Sequence, residues 1–228
     1  MFFNPNYLIF VMLPTVLLTL YAQWRVKSAY NKWSQVPNER GLTGLATARI
    51  IMQDTGLEFI EVKRTPGFMT DHYDPRDKSI NLSEGSDQPS VAAMAIVAHE
   101  LGHAEQDKTG NTMLNIRANL VPVANLGSGL GVWIIIGGLL FGMTELAWLG
   151  VILFSLTVLF TLVTLPVEFD ASRKAKAHLR SLNLVSVNEA KGVDAVLDAA
   201  ALTYVAAAAG AVLNLLYYVM LLSGRSRD

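Results

Sequence analysis

No cysteine occurs in the 228 residues, so neither a disulfide nor a thiolate metal site is open to this chain. Any metal must be held by histidine, aspartate or glutamate, and histidine is scarce: His72, His99, His103 and His178 are the whole supply. Charge is thin as well, at 16% of residues, and it nearly cancels to a formal −1. No basic stripe runs along the chain, which leaves nucleic acid out as a partner. No internal repeat stands out, and the alanine run at residues 206–209 is the one low-complexity tract.

Apolar residues, by contrast, make up 52% of the chain, and the mean hydropathy of +0.36 is too high for an ordinary soluble domain. Four stretches account for it. Residues 7–24 (YLIFVMLPTVLLTLYAQW) approach the length of a bilayer span, with Pro14 giving at most a kink. No Lys or Arg precedes this run, while Arg25, Lys27 and Lys32 follow it, the order of an uncleaved anchor rather than a signal peptide. Residues 118–143 and 146–167 are two more spans, separated only by Thr144-Glu145, and the first is glycine-rich with Gly127/Gly131 and Gly138/Gly142 pairs that suit close helix approach. Residues 200–222 form the fourth, entered from a helix that Ser186 and Glu189 open as a capping box.

Between the spans the character is that of a soluble domain. Residues 43–56 predict a helix capped by Thr43 and stopped by Gly56, and residues 58–83 predict two or three short strands, the last SINLS at 79–83. A helix then starts near Asp87 or Ser90, with Pro89 in its first turn, and ends at Thr109-Gly110. The division is an anchor (1–24), a domain (25–117), a two-helix hairpin (118–167), a polar segment (168–198) and a last span with its tail (199–228). Of the Lys and Arg residues, eleven lie in 25–117, five in 168–198 and two, Arg225 and Arg227, in the tail. The positive-inside rule therefore places the domain and the polar segment in the cytoplasm of a multi-pass membrane protein.

The chemistry concentrates in residues 91–107, VAAMAIVAHELGHAEQD. His99 and His103, four apart on a helix, share a face, so both imidazoles reach one metal ion, and Glu100 sits beside it as general base. Two imidazoles with a carboxylate leave a fourth position open, the donor set of catalytic zinc. For the third ligand Glu168 is the strongest candidate, because a carboxylate at the end of an apolar span is expensive without a partner. The hairpin returns Glu168 to the face that His103 left. His72 is a turn-adjacent polar residue as readily as a catalytic one, and His178 lies among Lys174, Lys176 and Arg180, as on a solvated basic face. Asp170 is either a surface partner of Arg173 or a support to the site. An extended peptide substrate would add to a strand edge near SINLS, though the sequence leaves open which strand is the edge.

Three segments together, TDHYDPR (70–76), HELGHAEQ (99–106) and PVEFDASR (166–173), resemble the bacterial YugP-like membrane zinc metallopeptidases over nearly the whole chain. At longer range they are similar to the HtpX-type and CaaX-prenyl membrane proteases, whose third ligand is the glutamate of an E-x-x-x-D segment. That resemblance implies Glu168 as ligand and an α+β fold, mostly α: a small zincin-like domain on a four-transmembrane-helix bundle. Ser172 stands where the wider pattern has aspartate, so a supporting carboxylate is either absent or supplied by Asp170. The expected protein is an integral endopeptidase of the bacterial inner membrane. His99, His103 and Glu168 would bind Zn²⁺, Glu100 would be the catalytic base, and His72, Tyr73 or Tyr204 would stabilise the oxyanion. Its substrates would be membrane proteins or peptides at the bilayer surface. The rival expectations are an inactive membrane scaffold or chaperone that retains the metal site, and a metal-binding transport protein.

Overall fold

The computed structural model describes residues 5–225; residues 1–4 and 226–228, which include Arg227 and the outer ends of the anchor and the tail, lie outside the described residues. The elements in chain order are α1 (Pro5–Trp33), α2 (Gly44–Thr55), β1 (Glu61–Arg64), β2 (His72–Asp74), β3 (Ser79–Leu82), α3 (Val91–Lys108), α4 (Thr112–Leu140), α5 (Thr144–Ser181) and α6 (Val187–Arg225). The fold is α+β and mostly α. Helices α1, α4, α5 and α6 are each long and apolar enough to cross a membrane. The chain divides into two compact units, one of Met1–Tyr21, Asn115–Pro166 and Thr203–Asp228, the other of Ala22–Leu114 and Val167–Leu202.

In the first unit the helix interiors carry the marks the sequence anticipates. Pro14 cannot donate to the carbonyl one turn back, and the turn before it, Leu8–Met12, widens into a π-helix rather than breaking. Helix α4 stops at Gly142, whose φ of +69° is the left-handed conformation a glycine C′ residue supplies. The chain then doubles back along α5. Here the small residues earn their place: a Cβ on Gly138 would lie 2.4 Å from the Ala147 nitrogen, and one on Gly127 2.3 Å from the Leu153 carbonyl oxygen. Two polar pairs form inside the unit: the Thr157 hydroxyl donates to the Ala124 carbonyl at 3.1 Å and Tyr7 donates to Asn214 at 3.0 Å.

The second unit has its own core, built on Ile51, Leu57, Ile80, Met94, Leu101 and Leu197, all fully buried. Thr43 caps α2 by accepting from the Ala46 N–H at 3.2 Å, and Gly56 ends the helix at φ +65°. The three strands form one sheet in the order β1-β3-β2, with β1 parallel and β2 antiparallel to β3. SINLS is thus the central strand, and β1 and β2 are the edges. Helix α3 begins at Val91, two residues later than the latest start that would put Pro89 in its first turn. Ser90 is its cap, accepting from Ala93 N–H at 3.2 Å, and Pro89 lies before it, where its carbonyl accepts from Asn38 N–H at 2.8 Å. The capping box also forms: Ser186 N–H donates to Glu189 at 2.7 Å and the Ser186 hydroxyl accepts from Glu189 N–H at 3.4 Å.

The glycine seam of α4 and α5 gives a paired test. Gly138→Ala forces the two backbones apart and should cost about 1–3 kcal/mol, read as a lower melting temperature in detergent. Gly137→Ala, whose Cβ meets open space inside the same helix, should not lower it.

Candidate metal centre

The sequence contains His99 and His103 one helical turn apart on α3, and the structure sets their rings 4.8 Å apart edge to face. Both turn their Nε2 atoms toward one oxygen. Glu168 Oε2, on α5, lies 3.3 Å from His99 Nε2 and 3.5 Å from His103 Nε2. All three residues belong to the unit Ala22–Leu114 and Val167–Leu202. One donor atom from each comes within 4.8 Å of the other two, and among the described residues this is the one cluster of three or more His, Asp or Glu suited to a metal ion.

Two features bring the carboxylate there. Helix α5 continues without interruption past Pro166, so Glu168 is held on rigid backbone. Gly102, between the two histidines, lets that backbone come close: a Cβ at Gly102 would lie 2.6 Å from the Ala171 carbonyl oxygen and 3.0 Å from its Cα. Glu168 is 2% exposed, and the histidine side chains are only slightly more open.

The donor set fits a metal. Two imidazole nitrogens and a buried carboxylate converge on a single point, a donor set whose chemistry suits zinc. Burial works against a charged His103, but the hydrogen bond to Glu168 and the nearby Glu100 carboxylate outweigh it and raise the imidazole above its ordinary range. A centre that draws a proton onto a buried imidazole is one that favours a cation.

Glu100 faces the sheet. Its Oε2 accepts the Tyr73 backbone N–H at 3.0 Å, which ties the carboxylate to the edge strand β2. The Tyr73 side chain goes elsewhere: its hydroxyl donates to Asp107 at 2.5 Å beside the Lys78 ammonium, and burial together with that bond raises the phenol above its usual pKa. Its hydroxyl is therefore committed two turns along α3 from His99. His72 is exposed on β2 with Nδ1 2.9 Å from the Thr70 carbonyl and stands outside the metal cluster. Tyr204 belongs to the other unit. His178 meets Glu105 at 2.7 Å, and Lys174 meets the same carboxylate at 2.5 Å. Burial opposes ionisation of Glu105, but the hydrogen bonds from Lys174 and His178 outweigh it and hold the carboxyl below its ordinary range.

The residues around the histidines settle how Asp170 and Ser172 are used. Ser172 Oγ lies 3.2 Å from His99 Nδ1, occupying with a hydroxyl the place where the wider pattern has a carboxylate. Asp170 pairs with Arg173, and it also accepts from the Gln106 side chain at 2.9 Å. Gln106 in turn is 3.0 Å from His103 Nδ1. The sequence reasoning passed over Gln106, although a glutamine three residues after a histidine on one helix is within side-chain reach of it.

A family model described as "Putative neutral zinc metallopeptidase" matches residues 8–223. A protein of Bacillus subtilis (strain 168), "Putative membrane protease YugP", is 42% identical over 222 residues, spanning 96% of this chain and 99% of the relative. No solved structure matches.

Helix approach at Gly102 can be tested directly. Gly102→Ala must push α3 from α5, and we expect a loss of about 1–3 kcal/mol in stability together with a lower content of tightly held metal. Unchanged metal content in a destabilised variant would separate the close approach from the site.

Proposed function

The chain belongs to the neutral zinc metallopeptidase family, and on that premise we propose that it is an integral membrane, zinc-dependent endopeptidase. The observation that carries this reading is the convergence of His99 and His103 Nε2 on the buried Glu168 carboxylate, with Glu100 beside them on the same helix. His99, His103 and Glu168 would hold the ion. Bound there, zinc supplies a Lewis acid for the scissile carbonyl and makes water a competent nucleophile at neutral pH.

The chain's own residues do the rest. Glu100 takes the proton from the attacking water and delivers it to the leaving amine, a role its tether to the Tyr73 N–H prepares by fixing the carboxylate's direction. Strand β2 is the sheet edge next to Glu100, so an extended peptide pairing along it would run past the base. Neither the Tyr73 hydroxyl nor His72 is assigned a catalytic role in this reading. The portions 25–117 and 168–198 form the catalytic part. Membrane proteins, or peptides presented at the bilayer surface, are the proposed substrates, because Glu168 directly follows an apolar span. The distribution of Lys and Arg supports a cytoplasmic face of the bacterial inner membrane.

Metal analysis of the purified full chain should find about one zinc per polypeptide; a zinc-free preparation that resists reconstitution would remove the metal site. Glu100→Gln should keep the zinc and lower proteolysis by about 10²–10⁴-fold. Comparing the membrane proteomes of cells carrying wild type and Glu100→Gln should show which proteins accumulate uncut. Retained cleavage in the variant would take Glu100 out of its role.

A further inference from the structure

Gln106 is a neutral side chain with no solvent exposure, set beside His103. A buried primary amide has two N–H donors and one carbonyl acceptor to satisfy, and the partners decide which way round it sits. Two of its neighbours can only accept. Its nitrogen lies 2.8 Å from the Val167 backbone carbonyl and 2.9 Å from Asp170 Oδ2, and Arg173 pairs with the other oxygen of that carboxylate. Turning the amide over would set its oxygen against both acceptors. The NH₂ group therefore faces α5, and Oε1 faces His103 Nδ1 at 3.0 Å.

This orientation has a consequence for His103. An amide oxygen accepts and cannot donate, so His103 Nδ1 must carry the hydrogen. Glu168 Oε2 also only accepts, but it stands 3.5 Å from Nε2 against 3.0 Å for the amide at Nδ1, so when the ring holds a single hydrogen the shorter contact keeps it on Nδ1 and Nε2 is the bare nitrogen. We propose that Gln106 is a positioning residue that fixes His103 in the tautomer able to ligate a metal through Nε2. The proposal rests on the metal-site reading above and deepens it.

The same side chain acts on the third donor. Val167 and Asp170 stand immediately before and two residues after Glu168, so Gln106 grips the turn of α5 that carries the carboxylate while it orients the imidazole. One amide thus sets two of the three donors relative to each other. His99 is held differently. Its Nδ1 meets the Ser172 hydroxyl, which can donate or accept, so that contact does not choose a tautomer. The two histidines look alike in sequence but are supported unequally, one by an enforced relay and one by an adaptable hydroxyl.

The test uses the full-length chain in detergent with two readouts. With only four imidazoles in the protein, ¹⁵N-histidine labelling of the zinc-free chain, at a pH where the rings are neutral, reads each tautomer directly. His103 should show a protonated Nδ1 and a bare Nε2, and a protonated Nε2 in the wild type would overturn the proposal without any variant. Zinc affinity is then measured by competition with a chelator, beside the melting temperature of the zinc-free protein. Gln106→Leu keeps the volume and removes all three hydrogen bonds; it should lower zinc affinity about 10–100-fold and release the tautomer preference. Asp170→Asn, at a more exposed position, removes one acceptor-only partner and should cause a smaller loss in the same direction, so the test survives if Gln106→Leu does not fold. A Gln106→Leu chain that folds, binds zinc as the wild type does and keeps the tautomer would sink the inference. A wild type that binds no zinc would instead remove the metal reading, with the tautomer measurement still deciding the role of Gln106.

Discussion

A carboxylate buried between two imidazoles is the constraint around which the second unit is arranged. Glu168 is almost wholly shielded from water, and taking such a charge out of solvent is costly unless geometry and partners compensate. His99 and His103 offer that compensation only when α3 and α5 lie nearly in backbone contact, and Gly102 against Ala171 is what permits it. Leaving a buried charge of this kind without its partners would cost on the order of 3–5 kcal/mol. The packing of two helices and the assembly of a donor set are therefore one physical requirement. A side chain at Gly102 would disturb both.

Around this point the polar groups are graded by what they can exchange. Glu105, Lys174 and His178 form a charged cluster between the same two helices, one face round from the donors. It holds α3 and α5 together without competing for the centre, because its single carboxylate already serves both Lys174 and His178. The neutral Gln106 stands nearest the donors, where a charge would bias the field at the site. Asp170 and Arg173 close the chain at its more exposed end. Charge is thus compensated locally at each step, and the net field at the three donors remains that of Glu168 and Glu100, which raises His103 and favours a cation.

Much of this was open to sequence reasoning, and what was not shares a cause. The caps at Thr43, Ser90 and Ser186/Glu189, the stop at Gly56, and the four apolar helices all follow from local propensity and spacing, which depend on neighbours within about one turn; Gly142, read from the sequence as a close-approach glycine, instead ends α4, and a Cβ there would meet open space. Glu168 could be singled out because a carboxylate ending an apolar run is conspicuous. The use of Gln106, Ser172 and Asp170 depends on how α3 is rotated and translated against α5, which no periodicity records. The same blindness to register made Tyr73 look like a candidate through its hydroxyl, whereas its backbone N–H is the group that meets Glu100. Strand order was hidden for a similar reason: SINLS reads equally well as an edge or a centre, and only its pairing with both β1 and β2 places it in the middle.

The position of β2 links the sheet to the chemistry. As an antiparallel edge strand it has one row of backbone groups paired with β3 and another turned outward, and the Tyr73 N–H on the outer row is held by Glu100 rather than by water. An extended peptide docking along that row would compete for the same donor. Its arrival would then loosen the carboxylate from the strand at the moment a base is needed, so the contact that orients Glu100 in the resting chain is also one that a substrate backbone can replace. In the proposed reading, edge pairing and general-base catalysis would be coupled through this single hydrogen bond, with the short β2 acting through its main chain.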